Sequence, residues 1–211
     1  MYHIHGINIS SNTTKTVYVA EELGIDFNYT NLDLSKGEHK SPEHLARHPL
    51  GKIPTLTHDG ETLFESGAIC RYLASVENSD MYPIGDHLKR CKVDQWMDFF
   101  SNHVGRWLNS YAFEKVAKVK YGFGEPNKAA GDEALGFIEQ QMPAVEDQLG
   151  NGEYLLGDGL TIADHFAFAY MEMAEMSQLP MDNFPHVNNW YQEFKNRDSV
   201  FRAKKKLGLV K

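Results

Sequence analysis

Cysteine is scarce in this chain: Cys70 and Cys91 are the only two among 211 residues. Two thiols cannot build the several-bridge framework of a small secreted domain. A reducing cytoplasm is therefore the expected compartment, and both cysteines read as small buried hydrophobes. Basic charge is also in deficit, with 21 Lys and Arg against 29 Asp and Glu, net −8. Neither half of the chain is basic, which excludes the electrostatic footprint of a nucleic-acid binder. The one basic run, "RAKKK", reads as a solvated helix face. Long apolar runs are missing as well. The most apolar helical stretch, "HFAFAYMEMAEM", is cut by Glu172 and Glu175 and is too short to span a bilayer. The start "MYHIHGINIS" has no basic segment ahead of an apolar core, so no signal peptide is expected. There is no internal repeat, low-complexity run or heptad array.

What remains is an ordinary globular composition, 42% hydrophobic and 24% charged, in a chain long enough to bury a real core. "MYHIHGI" alternates and stops at Gly6, as a strand does. "TTKTVYVAEELG" has helical content and a stop at Gly24. "DFNYTNLDL" reads as a second strand. "KGEHKSPEHLARHPLG" is a polar loop with room for one helical turn. "KIPTLTHDGETLFES" is a hairpin about Asp59-Gly60, and "GAICRYLASVE" a helix. The order β-α-β, loop, β-β-α makes a small mixed α/β domain over residues 1–78. The polar break at 79–87, with Pro83 and Gly85, is the expected linker.

From residue 88 to 211 the periodicity is helical. Leu135, Ile138, Met142, Val145 and Leu149 form one apolar stripe, and Pro143 inside it is expected to kink or interrupt the helix. "TIADHFAFAYMEMAEM" is apolar on nearly every face, as a helix at a bundle centre would be. Its "TIAD" is a variant capping box, Asp164 reaching back to the Thr161 amide. "NNWYQEFKNR" is a further amphipathic helix.

Three places carry more polarity than packing requires. Ser10, Ser11 and Asn12 crowd the entrance of the first helix, where one cap and two turn residues would be ordinary. A helix N-terminus offers free amides and partial positive charge to an anion. A bound thiolate is such an anion. Lowering a thiol pKa of about 8.5 by about two units takes roughly 2.7 kcal/mol. One hydrogen bond to a charged group supplies roughly 1.5–3 kcal/mol, so one hydroxyl plus the helix end suffices. No cysteine or tyrosine stands in this loop, which excludes a protein thiol as nucleophile there. The second place is Ile53–Pro54. A cis bond there would free the Ile53 backbone to pair with a peptide laid along the sheet edge; on base rates the trans form is the default. The third is Glu65–Ser66 ahead of "GAICRYLA". Ser66 as an N-cap is the plain reading. The other is recognition of an amino-acid head group, Ser66 taking a carboxylate at the helix end and Glu65 an ammonium. His39 and Lys40, in the polar loop, read by composition as solvated surface.

These pieces in this order resemble a soluble glutathione transferase of phi, theta or nu-like, bacterial type. The resemblance rests on "GEHKSPEHLARHPLGKIPTLTHDGETLFESGAICRYLA" with "LTIAD" further on, and it covers nearly the whole chain. It implies a thioredoxin-like first domain, an all-helical second domain and a homodimer. It implies conjugation of the glutathione thiolate to small hydrophobic electrophiles, as in detoxification, with glutathione as co-substrate and no metal or other cofactor. By the same resemblance Ser10 holds the glutathione sulfur, Asn12 shares that task, and Ser11 is the alternative if the assignment slips by one. His39 and Lys40 lie near the glycyl carboxylate, and Ile53 pairs with the cysteinyl unit before a cis Pro54. Glu65 and Ser66 hold the γ-glutamyl head.

Lys52 stands where glutamine is frequent and adds a charge toward a glutathione carboxylate. His165 replaces an apolar residue after "TIAD", weakening the hydrophobic staple. The electrophile is expected between the domains, on a face of "FFSNHVGRWL" made by Phe100, His103, Val104 and Trp107; core or dimer contact is the competing reading. His3 and His5 alternate on a strand with no third metal ligand in view. Two other functions share the site: glutathione-dependent peroxide or disulfide reduction, and a non-catalytic binding or scaffold role.

Overall fold

The computed structural model describes residues 1–157 and 159–210. Two compact units divide the chain: residues 1–85 together with 195–211, and residues 86–194. The first unit is a thioredoxin-like domain built on a four-stranded sheet, and the second is helical.

In the first unit, β1 (Tyr2–Gly6) runs parallel to β2 (Phe27–Asn31) and antiparallel to β3 (Thr55–His58), and β3 pairs antiparallel with β4 (Glu61–Phe64). The order across the sheet is β2-β1-β3-β4. Asp59 and Gly60 both have positive φ, 50° and 87°, as the two-residue turn of a twisted hairpin requires. α1 (Ser11–Glu22) and α3 (Ser66–Val76) pack together. They bury Val17, Tyr18, Val19 and Ala20 from one, and Ile69, Cys70, Leu73 and Ala74 from the other. The polar loop contains a 3₁₀ turn at Glu38–Lys40 and the short helix α2 (Pro42–Arg47), whose N-cap Ser41 accepts from the His44 amide at 3.2 Å.

The helical unit begins with α4 (His87–Asn102) and α5 (Val104–Ala112). His103, at φ −120° and ψ −113°, breaks the path between them, so "FFSNHVGRWL" is two helices and not one face. α5 runs on through a π-helical turn, Phe113–Ala117, into α6 (Lys118–Lys120). α7 (Lys128–Leu149) is continuous through Pro143, so the expected interruption does not occur. Its buried stripe is Ala134, Ile138, Met142, Val145 and Leu149; Leu135 is only half-buried.

α8 (Ile162–Met176) is buried along nearly its whole length, as its sequence anticipates. Asp164 accepts from the Thr161 amide (2.9 Å), the Thr161 hydroxyl (2.9 Å) and the Leu155 amide (2.8 Å). His165 sits in the core, edge-on to Phe194 of α9 (Pro185–Lys195). Phe168 stacks on Tyr191 and Phe194.

The chain's last helix, α10 (Asp198–Lys206), belongs to the sheet-bearing unit and packs on α1. Glu22 binds Arg197 at 2.7 Å and the Ser199 hydroxyl, and Arg202 reaches the Glu21 carboxylate at 3.1 Å. The basic run is thus partly docked, through Arg202, and not wholly a solvated face. Cys70 is buried, and burial pushes its thiol up to about 12. Cys91 is exposed, which corrects its expected burial. No helix among the described residues is long and apolar enough to cross a membrane.

Candidate functional site

Strand register assembles the site. β1 pairs with β3 from Tyr2↔His58 to His5↔Thr55, and β3 with β4 from His58↔Glu61 to Thr55↔Phe64. One end of the sheet therefore gathers the exit of β1, the entry of β3 and the exit of β4. The exit of β1 leads to Ser10, the entry of β3 follows Ile53–Pro54, and the exit of β4 leads to Glu65 and Ser66. Residues 55 positions apart in sequence thereby lie toward the same end of the sheet, because antiparallel pairing sets these strand ends side by side.

Ser10 is the N-cap of α1, yet its side chain makes no capping hydrogen bond. Its carbonyl accepts the Thr13 and Thr14 amides, both at 2.9 Å, so the helix starts without help from the hydroxyl. The first turn of α1 carries no acidic residue to neutralise the helix end. Ser11 is buried, 4% exposed, whereas Ser10 and Asn12 are half-exposed. Of the three sequence candidates Ser11 is thereby set apart, because the first helical position faces the interior.

The Ile53–Pro54 peptide is cis. The β3 ladder begins at Thr55, which leaves Ile53 beyond it. Glu65 is the N-cap of α3 with φ 69°, in the left-handed region that a glutamate adopts at a cost of about 1–3 kcal/mol. Glu65 makes no side-chain cap, and Ser66 is the first helical residue rather than the cap expected on the plain reading. Both Glu65 and Ser66 keep accessible surface at a helix start.

The loop between α2 and β3 is held at three points. Lys40 donates to the Leu50 carbonyl at 2.7 Å. Gly51, at φ +59°, packs so closely on the His39 carbonyl that a β-carbon would collide with it. His44, fully buried, bonds the Lys52 carbonyl through Nε2 at 2.8 Å; the carbonyl can only accept, so Nε2 carries the proton. His39 is held below its ordinary value by partial burial, and then by its electrostatic neighbours Lys40, His44 and Lys52. Lys52 is exposed.

Phe100 and Val104 are fully buried in the helical unit, Phe100 stacked on Tyr170. Both lie in the core, the competing reading of that face. His103 is exposed, and Trp107 is half-buried and stacked on Phe137 at 4.3 Å. His3 bonds Thr30 at 2.8 Å and stacks on His5. No cluster of three or more His, Cys, Asp or Glu among the described residues is placed to hold a metal ion.

Sequence reasoning missed Lys15. It is fully buried in α1 and donates to Asn12 Oδ1 at 2.7 Å. Burial drives its pKa well down, while Cys70 and Glu65 oppose that shift. The signal was available: a lone lysine inside "TTKTVYVA", one turn beyond Asn12.

Two family models match: the glutathione S-transferase N-terminal domain over residues 2–75 and the C-terminal domain over residues 98–198. The chain is 32% identical over 198 residues to the probable glutathione S-transferase GSTF2 of Oryza sativa subsp. japonica, covering 93% of this chain and 92% of the relative. It is 31% identical over 199 residues to glutathione S-transferase 1 of Zea mays, with the same two coverages. Among solved structures, glutathione S-transferase-I bound with lactoylglutathione superposes with a TM-score of 0.88 at 29% identity, over 97% of this chain and 99% of that one. Glutathione S-transferase I from maize, in complex with an atrazine glutathione conjugate, gives 0.86 at 28%, over 100% and 99%. The chain belongs to the glutathione S-transferase family. The relatives are plant proteins of the phi class, and a bacterial-type member is not supported.

Proposed function

We propose that this protein is a glutathione transferase whose Ser10 hydroxyl, with Asn12, stabilises the glutathione thiolate for attack on a small hydrophobic electrophile. The observation that carries this is the unspent Ser10 hydroxyl at the positive end of α1, at the same sheet end as Ile53–Pro54 and Glu65–Ser66. The relatives that hold lactoylglutathione and an atrazine glutathione conjugate support the ligand class. Glutathione lies along the Ile53 backbone, its γ-glutamyl head at Glu65 and Ser66 and its glycyl carboxylate toward His39, Lys40 and Lys52. The thiol proton leaves to solvent. The thiolate then forms a carbon–sulfur bond, and with an aryl halide a halide ion departs. His103 and Trp107 are the accessible members of the expected second-substrate set. By family the working form is a two-fold homodimer.

The test is Ser10→Ala with glutathione and an aryl halide. The lost hydrogen bond is one to a charged group, so turnover falls about tenfold or more while glutathione binding is kept. An unchanged rate removes Ser10 from the chemistry. Peroxide or disulfide reduction would use the same thiolate, and parallel assays on a hydroperoxide and a small disulfide separate it from conjugation. A chain that neither turns over glutathione nor is retained on immobilised glutathione is a binding or scaffold protein.

A further inference from the structure

Lys15 is an expensive residue that the glutathione site as drawn does not use. A buried ammonium costs several kcal/mol unless it is paired, and Lys15 is fully buried. Two groups of the proposed site answer it. Asn12 Oδ1 accepts from Nζ at 2.7 Å, and the Glu65 carboxylate favours its charged form. Asn12 belongs to the sulfur end of the site and Glu65 to the ammonium end.

The pairing decides which way the Asn12 amide faces. A carboxamide has an acceptor oxygen and a donor nitrogen of nearly equal size, and either can take either position. Lys15 Nζ donates in this contact, so the oxygen turns toward Lys15. Nδ2 then points the other way, and it makes no hydrogen bond among the described residues. Asn12 is half-exposed, two residues after Ser10 in the first turn of α1. A thiolate needs donors. A flipped amide would aim oxygen lone pairs at the sulfur and repel it.

We infer that Lys15 is a positioning residue for the thiolate: by holding Asn12 Oδ1 it locks the amide with its NH₂ toward the glutathione sulfur, so that Ser10 and Asn12 both donate. This rests on the glutathione reading above. Lys15 touches no substrate and acts through Asn12.

The experiment titrates the thiol of bound glutathione by the ultraviolet absorbance of its thiolate, beside steady-state kinetics. Lys15→Met raises the bound thiol pKa by about one unit, so thiolate below that pKa falls about tenfold. kcat falls with it, while KM for glutathione stays within about twofold. Lys15→Arg, which still donates, restores most of the loss. In an Asn12→Ala background Lys15→Met adds nothing, because the group it acts through is gone. A Lys15→Met pKa equal to wild type, when Asn12→Ala raises it, overturns the inference; so does an undiminished Lys15→Met effect in the Asn12→Ala background. Should Lys15→Met not fold, Asn12→Asp decides. Lys15 keeps one carboxylate oxygen and the other faces the sulfur, so this variant raises the pKa more than Asn12→Ala, and an equal or smaller rise refutes the idea. If Ser10→Ala and Asn12→Ala both leave the pKa unmoved, the glutathione reading itself fails.

Discussion

Acid should loosen the sheet-bearing unit through His5. This residue lies on β1, opposite Thr55 of β3, and is only 6% exposed. Burial, and then the neighbours His3 on the same strand and Arg47 and His44 on α2, push its pKa from 6.5 down to about 4. Between those two values the unfolded chain binds a proton at His5 and the folded chain does not. Stability from this group is therefore complete above pH 6.5 and declines as the pH falls, with the slope vanishing below about 4. One pKa unit is about 1.4 kcal/mol, so the whole shift of about 2.5 units corresponds to about 3.5 kcal/mol at most, a large share of a normal stability. His5→Phe keeps a ring against His3 and removes the titration. Urea unfolding followed by circular dichroism at steps from pH 7 to pH 4 supplies the measurement. The wild-type midpoint should fall more steeply than that of His5→Phe, and the two curves should run parallel above pH 6.5. Other groups titrate as well, so the difference between the two proteins is the informative quantity. Equal losses on acidification in both would refute the reasoning.

Two further outcomes follow from particular contacts. Gly51→Ala places a β-carbon against the His39 carbonyl at a positive φ; it should cost more than about 1 kcal/mol and, on the proposed function, raise KM for glutathione through the neighbouring Ile53. Thermal unfolding and glutathione titration would show both, and an unaltered KM would free the loop from a role in binding. Asp164→Ala leaves the Thr161 and Leu155 amides without their carboxylate. About 3 kcal/mol or more of stability should be lost, read as a drop in the urea midpoint, and a drop under about 1 kcal/mol would mean that water replaces the carboxylate.

Much of the fold was legible because short-range rules wrote it. The Asp59-Gly60 turn, the Gly24 stop and the Thr161–Asp164 cap all act within a few residues, and each is where local chemistry puts it. Ser10, Asn12, Ile53–Pro54 and Glu65–Ser66 were named from motif and resemblance. What the sequence left open has a different cause. Phe100 and Val104 could be read as pocket or core, because a stripe does not say what will cover it, and in the structure they are buried. Ser11 and Ser10 are chemically identical neighbours that only the helix phase separates. Pro143 was expected to kink or interrupt a helix that runs on through it.

The linear order of residues alone determined that strands and helices would form where they do, that the chain would make an α/β half and a helical half, and that three polar clusters exceeded the needs of packing. Only the tertiary structure decided that those clusters share one end of a sheet, that α10 returns to α1, and that Lys15 is buried against Asn12. The reason is range. Caps, turns and periodicity are settled between neighbours, whereas burial and electrostatic partnership depend on register between strands and on which helix happens to lie above.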